Sequence, residues 1–419
     1  MGAAEYILSP ASGKLECELK ISGSKSISNR LLIIRALAGK DFPIKNISPS
    51  KDTFLLREAL RMINTCSGSR IGMIVDTQDA GTMMRFLTAY LACTEGTWLL
   101  TGSPRMQERP VQELVENLWK LGAEIRYTGK LGFPPLVISG RKLQSSPVEF
   151  SGKVSSQYIS ALMMIAPLIQ GGLDIRFREK PVSFSYLRMT AAIMKEFGVI
   201  CNVTEKHVAI PEGVYHPVPV EVEPDWSSAA FWYEMAAIHG EASINLPGFR
   251  QESVQGDSVG VEIFRKLGVE TEFNEQGIRL YNSGKVERSI EYDFSACPDL
   301  VPAVLAGCSA MEVTARLTGV SHLRFKESDR LEALKAELGK TGAAITLGED
   351  YITLQPGKRK GTGLLNFKTY GDHRLVMSLA PLAMKYGTIS LEDPGAVDKS
   401  YPDFWKHIQQ PGGLTVDKK

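Results

Sequence analysis

Six apolar stretches of helical character, each opened by a polar cluster, recur along this chain at a nearly constant interval, and a period of that size dictates a repeat architecture. They are SGSKSISNRLLIIRALAG from residue 22, DAGTMMRFLTAYLA from 79, VSSQYISALMMIAPLI from 154, PDWSSAAFWYEMAAI from 224, CPDLVPAVLAGCSA from 297 and GDHRLVMSLAPLAM from 371. Between Lys25, Gly81, Ser156, Trp226, Asp299 and Asp372 the intervals are 56, 75, 70, 73 and 73 residues. A second recurrence falls between these, where a helical stretch ends on glycine and feeds alternating strands: WKLGAEIRY, KEFGVICNV, RKLGVETEF and GKTGAAITL. Gly122, Gly198, Gly268 and Gly342 stand where a left-handed helix cap is expected. The segments LVISG, VAIPEG, IRLYNSG and ITLQPG follow as hairpin partners. The unit therefore reads as β-α-β-α-β-β and occurs six times, with the first copy shortened around Asn64 to Arg70.

A chain of 419 residues is too long for one ordinary core, and six units divide naturally into two domains of three. The Pro-rich stretch HPVPVEVEPD, His216 to Asp225, is a linker between them or a loop. With 43% hydrophobic and 23% charged residues the chain can bury sizeable cores. Its net charge of +1 supplies no global field to draw it onto nucleic acid or an anionic membrane, so attraction to anions must be local. Cys17, Cys66, Cys93, Cys201, Cys297 and Cys308 are scattered without CxxC pairs and read as free thiols in a reducing compartment. The start MGAAEYILSP lacks the regions of a signal peptide. The longest apolar run, Ile159 to Ile169, is too short to span a bilayer. A cytoplasmic location is the expectation.

All six first helices begin with residues suited to anions or proton transfer, where a helix N-terminus offers unpaired N–H groups and the positive end of its dipole. Serine, aspartate and glycine at such positions are also ordinary caps; it is their joint recurrence that points to a shared anion site. The segments GSKSISNR (Gly23 to Arg30), AGTMMRF (Ala80 to Phe86), PRMQERP (Pro104 to Pro110), SSQY (Ser155 to Tyr158), Pro298 with Asp299, FKESDR (Phe325 to Arg330), DHR (Asp372 to Arg374) and DKSYPDF (Asp398 to Phe404) resemble, in order, the signatures of the 5-enolpyruvylshikimate-3-phosphate synthase family of enolpyruvyl transferases.

That resemblance implies an α/β fold of two inside-out domains, each of three β-α-β-α-β-β units, with helices inside and sheets outside. The N-terminal domain would be inserted at 22–224. Residues 1–21 and 225–419 would form the other, with the active site in the cleft between them. It implies transfer of the enolpyruvyl group of phosphoenolpyruvate to the 5-hydroxyl of shikimate 3-phosphate, without cofactor or metal. Glyphosate is the expected inhibitor and a monomer the expected state.

Shikimate 3-phosphate presents a carboxylate, a phosphate and hydroxyls, which call for a guanidinium, hydroxyl donors and an acceptor. By the resemblance, Ser26 and Arg30 hold the carboxylate, Lys25 also binds shikimate 3-phosphate, Ser155, Ser156 and Ser183 bind the phosphate, and Gln157 and Tyr186 lie against the ring. Asp299 and Lys326 hold the hydroxyls, with His322 nearby. Phosphoenolpyruvate carries about three negative charges in a small volume and needs fixed cations. Lys25, Arg85, Arg109, Arg330, Arg374 and Lys399 match those positions, with Asp79, Gly81 and Gln157 beside them. One group must serve the methylene proton and another the hydroxyl. Glu327 and Asp299 are the candidates, and their order stays open. Lys25 would stabilise the leaving phosphate, and His373 is a further catalytic candidate or a core histidine.

Three positions depart from the family pattern: Asp79 and His322 stand where Asn is common, and Phe86 where Pro is usual. Asp79, at a helix start facing an anion, is expected to turn away as an N-cap or to pair with a cation such as Arg85. The related transferase acting on UDP-N-acetylglucosamine shares the architecture, but the loop TGSPRMQERP lacks its cysteine and has Pro104 there. A non-catalytic phosphate-binding scaffold or a nucleic-acid clamp is the other class of reading; the balanced charge and the paired Asp299 and Glu327 oppose it. GxxxxGK[ST] is absent.

Overall fold

Among the described residues five four-stranded sheets share one strand order, and the sequence period is the reason. The computed structural model describes residues 4–65, 71–152, 155–359 and 361–418. In each sheet the first strand of a unit lies parallel to the second, and the fourth lies antiparallel between the second and the third. Ile71–Asp76, Gly96–Thr101, Leu136–Gly140 and Glu124–Tyr127 form one such sheet in that spatial order. A parallel pair needs a crossover, here the Gly81–Ala92 helix. The expected hairpins are present: Leu136–Gly140, His207–Ile210, Gly277–Val286 and Tyr351–Gln355 each pair antiparallel with the strand before them. Gly122, Gly198, Gly268 and Gly342 have φ of +89°, +86°, +86° and +98°, a region that costs glycine little and other residues more.

Two sheets recruit strands from far away in sequence. Leu15–Glu18 pairs parallel with Ala242–Pro247 and so supplies the first strand of a unit whose helices begin at Trp226. Glu5–Pro10 lies between Ile389–Glu392 and Leu414–Lys418, completing the last unit. Among the described residues the first copy has a two-stranded ribbon, Ile44–Lys45 beside Val220–Glu221. The supposed linker or loop at 216–225 thus contains a strand: its alternating VPVEVE carries the period that a β-edge needs. The shortening placed at Asn64 to Arg70 falls mostly outside the described residues, as does Val154 ahead of the third helix; the Lys51–Thr65 helix covers its first two positions.

The chain divides into two compact units, Gly23–Val222 and the remainder, from the N-terminus to Ser22 with Glu223 onward. Each has its own hydrophobic core. Where the chain enters the Gly23–Val222 unit, a β-carbon on Gly23 would fall 1.8 Å from the Asn46 carbonyl oxygen, so the crossing requires glycine. The first helices are buried on nearly all sides: every residue of Val301–Ala310, and all but Thr82 of Gly81–Ala92. A helix apolar all round must lie inside. The strands instead alternate, as in Leu173–Phe177, where Asp174 and Arg176 face solvent. Helices therefore fill the units and sheets wrap them. No helix among the described residues is long and apolar enough to cross a membrane.

Candidate active site

In the Gly23–Val222 unit, Lys25 opens the Lys25–Ala38 helix, and its Nζ lies 3.2 Å from Oδ2 of Asp52, a buried residue in the first turn of the next helix. One turn on, Arg30 is buried and held by three acceptors: its Nε donates to Thr190 Oγ1 at 2.7 Å, Nη1 to the Ser26 carbonyl at 2.9 Å and Nη2 to Ser160 Oγ at 3.0 Å. Burial pulls its pKa down to about 10, which leaves it charged at neutral pH. Among the described residues no carboxylate pairs with it. A buried, held and uncompensated guanidinium favours an anion.

The serines sit at two further helix starts. Ser155 caps the Ser156–Ile165 helix, its hydroxyl accepting from Gln157 N at 3.3 Å. Gln157 Nε2 in turn donates to Thr82 Oγ1 at 3.0 Å. Ser183 precedes the Phe184–Glu196 helix, buried and with φ of +56°. A serine in the left-handed region is uncommon, and such backbone concentrates at ligand sites. Tyr186 follows within the first turn of that helix.

The Gly81–Ala92 helix brings Gly81 and Arg85 together. Arg85 is buried, its Nη1 donating to the Gly81 carbonyl at 3.2 Å and its Nη2 to the Pro110 carbonyl at 3.1 Å. A β-carbon on Gly81 would lie 2.7 Å from Nη1 of Arg109, so the two guanidinium groups share one helix start. Asp79 is not the cap of its own helix. The N-cap position is Ala80, without a side-chain cap bond. Asp79 Oδ1 accepts from the hydroxyl of Ser103, which also caps the Pro104–Gln107 helix. It is turned aside, onto a neighbouring helix start instead of its own.

In the other unit one side chain organises the cluster. Arg330, buried at the start of the Arg330–Gly339 helix, donates from Nε to Asp372 Oδ2 at 2.7 Å, from Nη1 to Asp299 Oδ1 at 3.2 Å and from Nη2 to Glu327 Oε2 at 2.9 Å. Burial opposes its charge, but Asp372, Glu327 and Asp299 outweigh burial and push its pKa up. Arg374 Nη2 lies 2.8 Å from Asp299 Oδ2, and Lys399 Nζ lies 3.5 Å from Glu327 Oε1. Asp372 caps its helix by accepting from Arg374 N. The buried His373 has Nδ1 3.9 Å from Asp372 Oδ1. Burial lowers the pKa of Lys326, with Asp299 opposing. Burial and then Lys326 bring His322 down to about 3, so its imidazole is neutral, and neither ring nitrogen has a hydrogen-bond partner among the described residues.

The sequence reading named candidate groups for substrate but missed their holders. Asp52 on Lys25, Thr190 and Ser160 on Arg30, and Ser103 on Asp79 carry no distinctive spacing, and the repeat marked Asp372 without its bond to Arg330. Asp257 was missed as well: it is buried, accepts from the Ser227 hydroxyl, and is pushed up to about 7 by burial and then by Asp299. The repeat could have flagged it only through the 3₁₀ turn Gly256–Val259, which stands where other units begin a second helix.

A repeated α/β frame whose helix starts hold cations, hydroxyls and paired carboxylates defines a class of enzyme that handles small, multiply charged anions by fixed charge and proton transfer. The family model for EPSP synthase (3-phosphoshikimate 1-carboxyvinyltransferase) matches residues 10–408. A 3-phosphoshikimate 1-carboxyvinyltransferase of Bacteroides fragilis is 42% identical over 417 residues, covering 99% of this chain and 100% of that one. One from Shewanella woodyi is 33% identical over 416 residues, covering 94% and 96%. The chain belongs to the EPSP synthase family. An EPSP synthase structure from Acinetobacter baumannii superposes with a TM-score of 0.79 at 22% identity, over 99% of this chain and 100% of that one, which speaks to the fold.

Proposed function

We propose that this chain transfers the enolpyruvyl group of phosphoenolpyruvate to the 5-hydroxyl of shikimate 3-phosphate, releasing inorganic phosphate. The observation that carries the reading is that one buried guanidinium, Arg330, fixes two carboxylates, Asp299 and Glu327, beside Arg374 and Lys399. Acid and base groups are thus placed within a field of cations, as an addition and elimination on an anionic enol requires.

In this reading Arg30 takes the acceptor's carboxylate, Ser155, Ser156 and Ser183 its phosphate, Gln157 and Tyr186 its ring, and Asp299, Lys326 and neutral His322 its hydroxyls. Lys25, Arg85, Arg109, Arg330, Arg374 and Lys399 neutralise phosphoenolpyruvate, with the Gly81 N–H and Gln157 beside them. Both residue sets serve one pair of substrates. Glu327 gives a proton to the methylene carbon as the 5-oxygen bonds to C2 and its proton passes to Asp299. Glu327 then takes a methyl proton back, the C2–O bond to phosphate breaks, the double bond returns, and the hydroxyl proton held on Asp299 leaves with the phosphate. Lys25, held by Asp52, stabilises the departing phosphate. The buried His373, at the helix start beside Arg374, supports that step. The protein works in the cytoplasm as a monomer, and glyphosate, an anion of similar size, competes for the same cations.

The test is to mix the chain with phosphoenolpyruvate and either shikimate 3-phosphate or UDP-N-acetylglucosamine and follow phosphate. Release with the first acceptor alone supports the reading; release with the second alone refutes it.

A further inference from the structure

Arg30 is held by more than hydrogen bonds. Its guanidinium carbon lies 5.4 Å from the ring centroid of Phe86 and 5.7 Å from that of Tyr186. Phe86 is 1% exposed, so its contact with Arg30 is desolvated, the condition under which a cation and an aromatic face attract most strongly. The three bonds to Thr190, the Ser26 carbonyl and Ser160 leave about two of the five guanidinium N–H donors for a ligand. A bidentate carboxylate needs the guanidinium plane fixed, and the two rings lie close enough to help fix it. Phe86 is adjacent to Arg85 on the Gly81–Ala92 helix, so one helix serves both arginines.

We propose that Phe86 is a positioning residue for the substrate-carboxylate site, setting with Tyr186 the plane in which Arg30 receives the carboxylate of shikimate 3-phosphate. This rests on the reading that Arg30 takes that carboxylate. Phe86 acts through Arg30, and its effect is therefore confined to the acceptor.

Calorimetry with shikimate 3-phosphate tests it. Phe86→Leu is expected to weaken binding about three- to tenfold, while KM for phosphoenolpyruvate at saturating acceptor moves less than twofold. In an Arg30→Gln background the same substitution is expected to change acceptor binding less than 1.5-fold, which a general loss of packing would not produce. Unchanged acceptor affinity in Phe86→Leu, an equal rise in KM for phosphoenolpyruvate, or persistence of the effect without Arg30 would each overturn the proposal. If circular dichroism shows that Phe86→Leu does not fold, Phe86→Met is measured with the same expectation. If the unmodified chain neither binds shikimate 3-phosphate nor releases phosphate with it, the functional reading fails first, and that outcome is visible before any variant is made.

Discussion

At Arg330 one guanidinium fixes both proposed proton carriers, Asp299 and Glu327, while Asp372 holds the guanidinium from behind. Replacing either carrier by its amide keeps the shape and removes the proton transfer. Glu327→Gln and Asp299→Asn are each expected to lower kcat by roughly a hundredfold or more, with shikimate 3-phosphate affinity within about threefold by calorimetry; near-normal turnover in either would cancel its role. A second carboxyl matters to stability only. Glu234 is fully buried in the Trp226–His239 helix, with neither oxygen bonded among the described residues. Burial raises its pKa well above the ordinary value of 4.5. Below that value folded and unfolded chains are both protonated; above it the unfolded chain alone ionises, so the folded state loses stability with rising pH, by up to about 1.4 kcal/mol per pH unit. Glu234→Gln cannot ionise and escapes the loss. Its melting temperature is expected to match the unmodified chain near pH 4 and to exceed it at pH 8; an advantage independent of pH would contradict the account.

At the scale of elements, function depends on how helix starts are packed. Gly81 begins its helix so close to Arg109 that a methyl group would meet Nη1 at 2.7 Å. That atom ends a flexible side chain, so Gly81→Ala is expected to fold normally while displacing Arg109. KM for phosphoenolpyruvate should then rise about tenfold, the equivalent of about 1.4 kcal/mol, with affinity for shikimate 3-phosphate little changed; an unaltered KM in steady-state assays would show that Arg109 does not need its present place. The first helices and hairpins were legible because a helical apolar period and a glycine after each second helix are local signals. Asp79 was not. A short polar side chain ahead of a helix reads as its cap, yet the Ser103 hydroxyl, 24 residues away, takes the carboxylate instead. The strand in 216–225 was also obscured, because Pro217 and Pro219 read as linker punctuation while the partner strand lies in the first copy, at Ile44–Lys45.

Across the whole molecule, the period of about 70 residues recovered the architecture because every unit repeats the same burial pattern. What it could not convey is how strands are lent: Leu15–Glu18 and Glu5–Pro10 complete units whose helices lie more than 200 residues later. The candidate substrate groups were read from family motifs; the holders Asp52, Thr190 and Ser160, and the buried Asp257, were not read, since a buried polar partner is chosen by packing rather than by spacing. In the proposed reaction these groups carry out addition and elimination at the enol carbon, with a transient methyl group formed by a solvent-exchanged proton. The direct measurement is to run the reaction of phosphoenolpyruvate with shikimate 3-phosphate in deuterium oxide and read the recovered product by mass spectrometry and proton NMR. Deuterium in the vinyl methylene of an enolpyruvyl ether at the 5-oxygen is the predicted result. A product whose vinyl group is fully protonated, or an acceptor that has gained phosphate instead of enolpyruvate, would contradict it.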